Sequence, residues 1–582
     1  MRCARRRAVA RSPLTSIIGA ALIVGIAACA PARSTSSPGA VSPPSSGTAP
    51  HKSTVTVAIG QEITNLAGKL EPQRTYGGEY GFLSNSPLVL KDAQGNRSPL
   101  LAFALPSRDD GTWTVNPDGT MTTTWHIRDN AKWHDGFPVT SQDFAFAGRV
   151  YADPLIPMRE REPERFVDRV EPLDGKTFQM YWKAPYPWAD ELITRQFEAL
   201  PDHILSALYD AGDHDAFLNS SFWTSPAYVG DGPFRLTEWD PGAQLIYRAF
   251  DDYFMGKPAI DELVMRIIPD ANTLVSNLLS GSIDATLGIT LGQQQAITVR
   301  QQWQQSGDGQ VITMPARFQF AQIQFDPTRN GQPALFDVRV RRGLVHGIDR
   351  DTLAQVMTEG MSGVADVMMA PSDPLFPRVD AAIAKYPYDP QRAAALLQEA
   401  GWTRRGDNLV NAGGQAFAVD LWTTAGADNE QEGSIMGANL AQVGVQVVQT
   451  TVPQSRISDT EYRVSFPGLN VTAGPIDIPQ TMNVAHSDQC AVAERRYVGT
   501  NRGCWKNADY DRNYILASTS LDPAERADAV VDALKVMTED VGIFGLLYNP
   551  ESVAVRKGLV GPGRRWPPQV GTTWNVHQWR WE

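Results

Sequence analysis

Short runs of β-branched residues alternate with capped amphipathic stretches along this chain, and that alternation restricts it to helices packed on a sheet. Residues 54–59 (TVTVAI) read as a buried strand followed by a polar turn. Thr140 and Asp143 make a capping-box pattern ahead of Phe144, Ala147 and Tyr151 at helical spacing, so a helix starts there. Asp337 caps a second helix carrying Val340, Leu344 and Ile348. Asp389-Pro390 opens a third, running through Leu396 and Leu397 to Gly401, with proline first and glycine last. Residues 435–443 read as a helix stopped at Gly444, and 445–448 as the strand after it. The class is α/β. At 582 residues the chain exceeds one small core and predicts two to four compact lobes. No internal repeat of solenoid or propeller length is present.

The first residues constrain location. Arg2, Arg5, Arg6, Arg7 and Arg11 precede an apolar run at 17–28 that contains no carboxylate, the pattern of a secretory signal over 1–28. Ala27-Ala28-Cys29 resembles the lipobox at which bacterial prolipoproteins are acylated and cut, which predicts lipid on Cys29 and a mature chain starting there. The apolar run is short for a spanning helix, which needs about 20 residues. Residues 29–52, rich in Pro, Ser, Gly and Ala, read as a lipidated flexible linker. The expected location is therefore outside the cell, anchored by lipid to the outer face of the membrane. The formal charge is −12, and loss of the arginine-rich signal makes the exported part more acidic still. Such a balance argues against a nucleic-acid partner, which needs a basic face to neutralise phosphates.

Of four cysteines, Cys3 leaves with the signal and Cys29 carries lipid, leaving Cys490 and Cys504. In an exported protein a disulfide is the economical reading. A metal site lacks a second Cys or a His at ligand spacing; His486 is the nearest. Nucleotide-loop, zinc-protease, C-x-x-C and nucleophile-elbow signatures are all missing. His126 and His134 read as loop residues rather than a shared metal site, Gly360 to Gly363 as a turn, and Asp109-Asp110 and Asp251-Asp252 as solvated loop carboxylates. The sequence therefore predicts no catalytic residues, no cofactor, no metal and no enzyme.

Four stretches together resemble the extracellular solute-binding proteins of ABC transporters, family 5, the peptide and nickel class. In WHIRDNAKWHDGFPV (125–139), Arg128, Lys132, Trp133, Asp135, Gly136, Pro138, Val139 and the following Thr140 match the family's segment ahead of a helix. GDGPFRLTEW (230–239) leads to Tyr253, Gly256-Lys257-Pro258, Ile260-Asp261, Ile268-Pro269-Asp270 and Gly281-Ser282-Ile283-Asp284 in the family's order, with Phe254 at the usual Trp. Asp337 to Arg341, Gly347 to Arg350, Tyr388-Asp389-Pro390 and Ala400-Gly401-Trp402 form the third stretch, and Trp574-Asn575 with Trp579 the fourth.

The resemblance implies a two-lobed periplasmic-binding-protein-like fold (type II, cluster C) with an additional small subdomain. Residues 53–88, 200–310 and 540–582 would form lobe I, 89–199 the small subdomain and 311–539 lobe II. It implies a monomeric, lipid-anchored binding subunit that captures a small solute, most simply a short peptide, in an interlobe cleft and delivers it to ABC permease subunits. The ligand residues carried over by position are Asn65, Leu66, Tyr76, Tyr80, Phe320 in the segment 318–324, Trp422 and Asp477. Asp477 corresponds to the carboxylate that fixes a peptide amine, but it lacks the flanking Trp and the D-x-D-P pattern of many peptide binders. That departure motivates the alternative of a non-transport regulatory or scaffold lipoprotein on the same fold; an exported hydrolase ranks behind both.

Overall fold

The computed structural model describes residues 53–582, apart from 71–76, 93–94, 157, 159–162, 194–195, 458, 477, 564–565 and 567–570. The signal, Cys29, the linker, Tyr76 and Asp477 lie outside the described residues. Among the described residues no helix is long and apolar enough to cross a membrane.

The main sheet has ten strands, in the order Gln446–Val452, Ala418–Thr424, Leu469–Pro475, Gly309–Ile323, Ile543–Arg556, Ala285–Thr286, Thr54–Ile59, Glu262–Ile267, Gln244–Ala249 and Phe234–Asp240. Two of them, Gly309–Ile323 and Ile543–Arg556, are antiparallel partners long enough to serve two separate cores. Up to Met314 and again from Val553 their side chains join the apolar packing around Val55, Val57 and Ile59. Between Phe318 and Tyr548 they belong to different cores. The division falls where Pro315 lies opposite Pro550, beside a register shift between Pro315 and Arg317. Neither proline has an N–H, so this rung of the ladder lacks both of its backbone donors.

Strand periodicity explains why the second half has two cores. Ala321 and Ile323 face one side, with Val340, Leu344, Leu397 and Leu440 from three helices, Val338–His346, Pro390–Glu399 and Ala427–Gln442. Phe318 and Phe320 face the other, against Tyr510, Tyr514, Leu534 and Met537 of Ala508–Thr519 and Pro523–Asp540. In the first half a separate four-stranded sheet, ordered Trp113–Val115, Met121–His126, Thr177–Trp182 and Val167–Pro172, packs on the helix Ser141–Ala152, with Phe144 stacked on Phe178 at 4.4 Å.

The strand at Thr54–Ile59, the Thr140–Asp143 capping box and the Asp337 and Asp389 caps stand where the sequence places them. The helix expected over 435–443 begins eight residues earlier, at Ala427. Its first turns are polar and carry no apolar stripe; Asp428 and Glu430 suit the positive end of the helix dipole. Gly433 then allows close packing, since a Cβ there would sit 3.0 Å from Thr423 Cγ2 and 2.5 Å from Gln449 Nε2. The following strand runs from Gln446 to Val452, longer than its four-residue expectation.

Cys490 and Cys504 form a disulfide, with Cα atoms 4.7 Å apart. The loop it closes is fastened to the long strand: Gln322 Nε2 donates to the Thr500 carbonyl at 2.8 Å, and the Phe325 N–H to that of Gly503 at 2.6 Å. Side chains are excluded at Gly503, where a Cβ would lie 2.0 Å from the Ile323 carbonyl oxygen. Cys490→Ser should lower the stability of the oxidised protein by about 3 kcal/mol, the chain-entropy value for such a loop. Urea midpoints of wild type and variant should converge once reductant is added; a gap that persists in reductant would assign the loss to packing.

Candidate functional site

The carboxyl ends of Ala418–Thr424 and Leu469–Pro475 point toward the proline rung, with Pro475 paired to Arg317. From the other half, Thr54–Ile59 and Ala285–Thr286 run parallel, and the chain beyond Thr286 reaches Gly288, where a Cβ would lie 3.0 Å from the Glu79 carboxylate. Strand ends from both halves thus converge on the crossing of the long strands, the place where open α/β sheets form ligand crevices.

Three carboxyl groups surround this crossing. Glu79, buried in the helix Gly77–Ser84, accepts from the Thr572 N–H at 2.9 Å, the Thr573 N–H at 3.3 Å and Thr572 Oγ1 at 2.5 Å. Burial drives its pKa above the usual carboxylate range, and these hydrogen bonds only partly oppose it. Glu551 follows Pro550 on the second long strand. Burial, reinforced by the Glu79 charge, pushes it up to about 7 against the hydrogen bond from Trp566 and the charge of Arg317. Glu432, 2% exposed on the early turns of Ala427–Gln442, accepts from Gln319 Nε2 at 2.7 Å, and burial raises it to about 7. Gln319 Oε1 in turn accepts from Asn549 Nδ2 at 2.8 Å, so one relay joins the helix to both long strands. Such a site suits N–H donors and cations. Among the described residues no group of three or more His, Cys, Asp and Glu is placed to hold a metal ion.

A cavity of about 180 Å³ also spans the halves, between Trp188, which packs on the first core, and Met369, Ile478 and Val530 of the second. The Arg526 guanidinium carbon lies 5.8 Å from the Trp188 ring centroid across it. A larger cavity, about 520 Å³, lies wholly in the second half beside the disulfide. The Arg341–Asp540 part of its polar wall is already self-paired: Arg341 Nη2 is 2.6 Å from Asp540 Oδ1, and Trp505 Nε1 donates to Asp540 Oδ2 at 2.7 Å. We therefore place the candidate site at the crossing.

Among the described residues, those carried over from sequence are not gathered into one surface. Asn65 is half-buried, its Oδ1 accepting from the Ala67 N–H at 3.0 Å, while Leu66 and Tyr80 lie in the first core. Phe320 is buried in the second half and stacked with Phe318 at 5.0 Å. Trp422, 8% exposed, packs with Tyr462 at 5.1 Å and with Val452 and Phe466. Sequence reading missed Glu79, Glu432, Gln319 and Glu551. One signal was present for Gln319: glutamines at 319 and 322 interrupt the otherwise apolar end of the strand, from Phe318 to Ile323.

Residues 109–488 match the family model of bacterial extracellular solute-binding proteins, family 5. The chain belongs to this family. This solute-binding protein has the family's two-lobed α/β fold, with the small four-stranded sheet as an additional subdomain. It is 24% identical over 470 residues to the oligopeptide-binding protein AppA of Bacillus subtilis, covering 79% of this chain and 81% of that one. Among solved structures, the oligopeptide-binding protein of Thermus thermophilus, complexed with a pentapeptide, superposes with a TM-score of 0.72 at 22% identity, over 91% of this chain and 96% of the other. NikZ of Campylobacter jejuni, in complex with Ni(L-His), gives 0.72 at 20% identity, over 91% and 99%.

Proposed function

We propose that this protein is the lipid-anchored substrate-binding subunit of an ABC importer, capturing short peptides between its lobes and delivering them to a permease. The observation that carries the reading is the convergence of strand ends from both lobes on a crossing lined with buried hydrogen-bonding groups. Peptide backbones carry an N–H donor at nearly every residue, which suits the acceptors there. The oligopeptide-binding relative supports peptide over the nickel–histidine complex held by a neighbour of the same fold, since fold alone does not fix cargo. Asn65, Leu66, Tyr76, Tyr80, Phe320, Trp422 and Asp477 remain the proposed ligand contacts.

The test is mass spectrometry of whatever is released when the purified protein is denatured, followed by a thermal-shift screen of di- to pentapeptides. A ligand at a hundredfold excess over Kd stabilises by about 2.7 kcal/mol. A melting-temperature rise with peptides is the expected result; no released ligand and no shift with any peptide would favour the regulatory or scaffold reading.

A further inference from the structure

Glu432 is an acid that this protein buries without completing its hydrogen bonding. One oxygen is held by Gln319 Nε2, but Oε1 has no partner, and no Lys or Arg is paired with the group among the described residues. On the strand packed against the same helix turn, Thr423 Oγ1 is also buried and unpartnered. A buried acceptor stripped of water and left unsatisfied costs free energy that an incoming donor returns. These two atoms stand at the carboxyl end of Ala418–Thr424 and the start of Ala427–Gln442, and the relay through Gln319 to Asn549 fixes Glu432 beside the crossing.

We propose that Glu432 is a specificity-determining residue whose free Oε1 accepts from a cationic N–H group of the ligand, an ammonium or a guanidinium, with Thr423 Oγ1 as a second contact. This rests on the reading of the crossing as the ligand site. An α-amine and a basic side chain are both sources of that chemistry.

The experiment is calorimetric titration of the full-length protein with Ala-Ala-Ala, N-acetyl-Ala-Ala-Ala and N-acetyl-Ala-Lys-Ala, and with arginine and putrescine, in wild type and E432Q. The amide keeps an oxygen for Gln319 and turns an NH2 toward the unpartnered position, so the substitution reverses the polarity offered to the ligand. We expect one of the peptides that carry an ammonium group, termed cationic here, to bind roughly tenfold or more tightly than N-acetyl-Ala-Ala-Ala, which has none and is termed neutral, the order of a charge-assisted hydrogen bond. Preference for the free amine identifies the α-amine as the source; preference for the lysine peptide identifies a side chain. E432Q should erase the preference. Equal wild-type affinity for neutral and cationic peptides, or a preference that survives in E432Q, overturns the role of Glu432 and leaves peptide cargo standing. Should E432Q not fold, Thr423→Val takes its place: it should shrink the preference, and a preference left whole overturns the proposed site. Binding of arginine or putrescine alone, lost in E432Q, keeps the role and overturns peptide cargo. No binding by any cationic probe overturns both.

Discussion

Asp231→Asn should stabilise the protein by about 3 kcal/mol at pH 8 and destabilise it by about 2 kcal/mol at pH 4. Asp231 is 3% exposed; its Oδ1 accepts from the Ser86 N–H at 2.8 Å, and its Oδ2 has no partner. Burial raises its pKa to about 8, with the Glu198 charge adding to the rise and the Ser86 hydrogen bond opposing it. The folded state therefore favours the neutral acid, whereas the unfolded chain ionises near 4. Stability from this group is complete below pH 4, declines as the pH climbs toward 8, and levels off beyond, because the folded carboxyl then ionises too. The full shift corresponds to about 5 kcal/mol, from which we subtract for the NH2 that asparagine leaves without an acceptor. Urea midpoints of both proteins at pH 4, 6 and 8 provide the measurement. Parallel pH profiles would show that Asp231 is ionised and solvated in the native state.

The second large effect is destabilisation by Glu79→Ala, which we expect to cost about 4 kcal/mol. The carboxylate takes the N–H groups of Thr572 and Thr573 and the Thr572 hydroxyl, all buried. Truncation strands these donors, at about 1–3 kcal/mol each, and the penalties do not add fully because the donors share one acceptor. Glu79→Gln keeps one acceptor oxygen and should lose about half as much. Denaturant unfolding gives the magnitude, and amide exchange at Thr572 and Thr573 locates it. Unchanged protection at those amides would mean that another group takes over.

Much of the scaffold was legible because its signals are local. Asp389-Pro390 with Gly401, and Thr140 with Asp143, declare helix ends through side chains a few residues apart. The start of Ala427–Gln442 was hidden because its polar turns resemble a loop until Gly433 packs on Thr423, a contact defined only by the tertiary structure. The site was harder still. Glu432, Gln319 and Asn549 are separated by more than a hundred residues in each step of the relay, so no spacing rule could join them. Glu79 sits beside Tyr80, which the family pattern singled out, yet its partners lie at 572 and 573. Leu66, Tyr80 and Phe320 illustrate the converse: apolar and aromatic residues that approach a cleft in sequence position can still spend their surface in a core.

Facing prolines at 315 and 550 leave the backbone ladder without donors on either strand at one level. Resistance to bending in a sheet comes largely from such cross-strand bonds, so the double strand is softest at that level and stiffer on each side. Twisting loads applied to either lobe should concentrate there rather than spreading along the strands, which spares the packed interiors above and below from deformation.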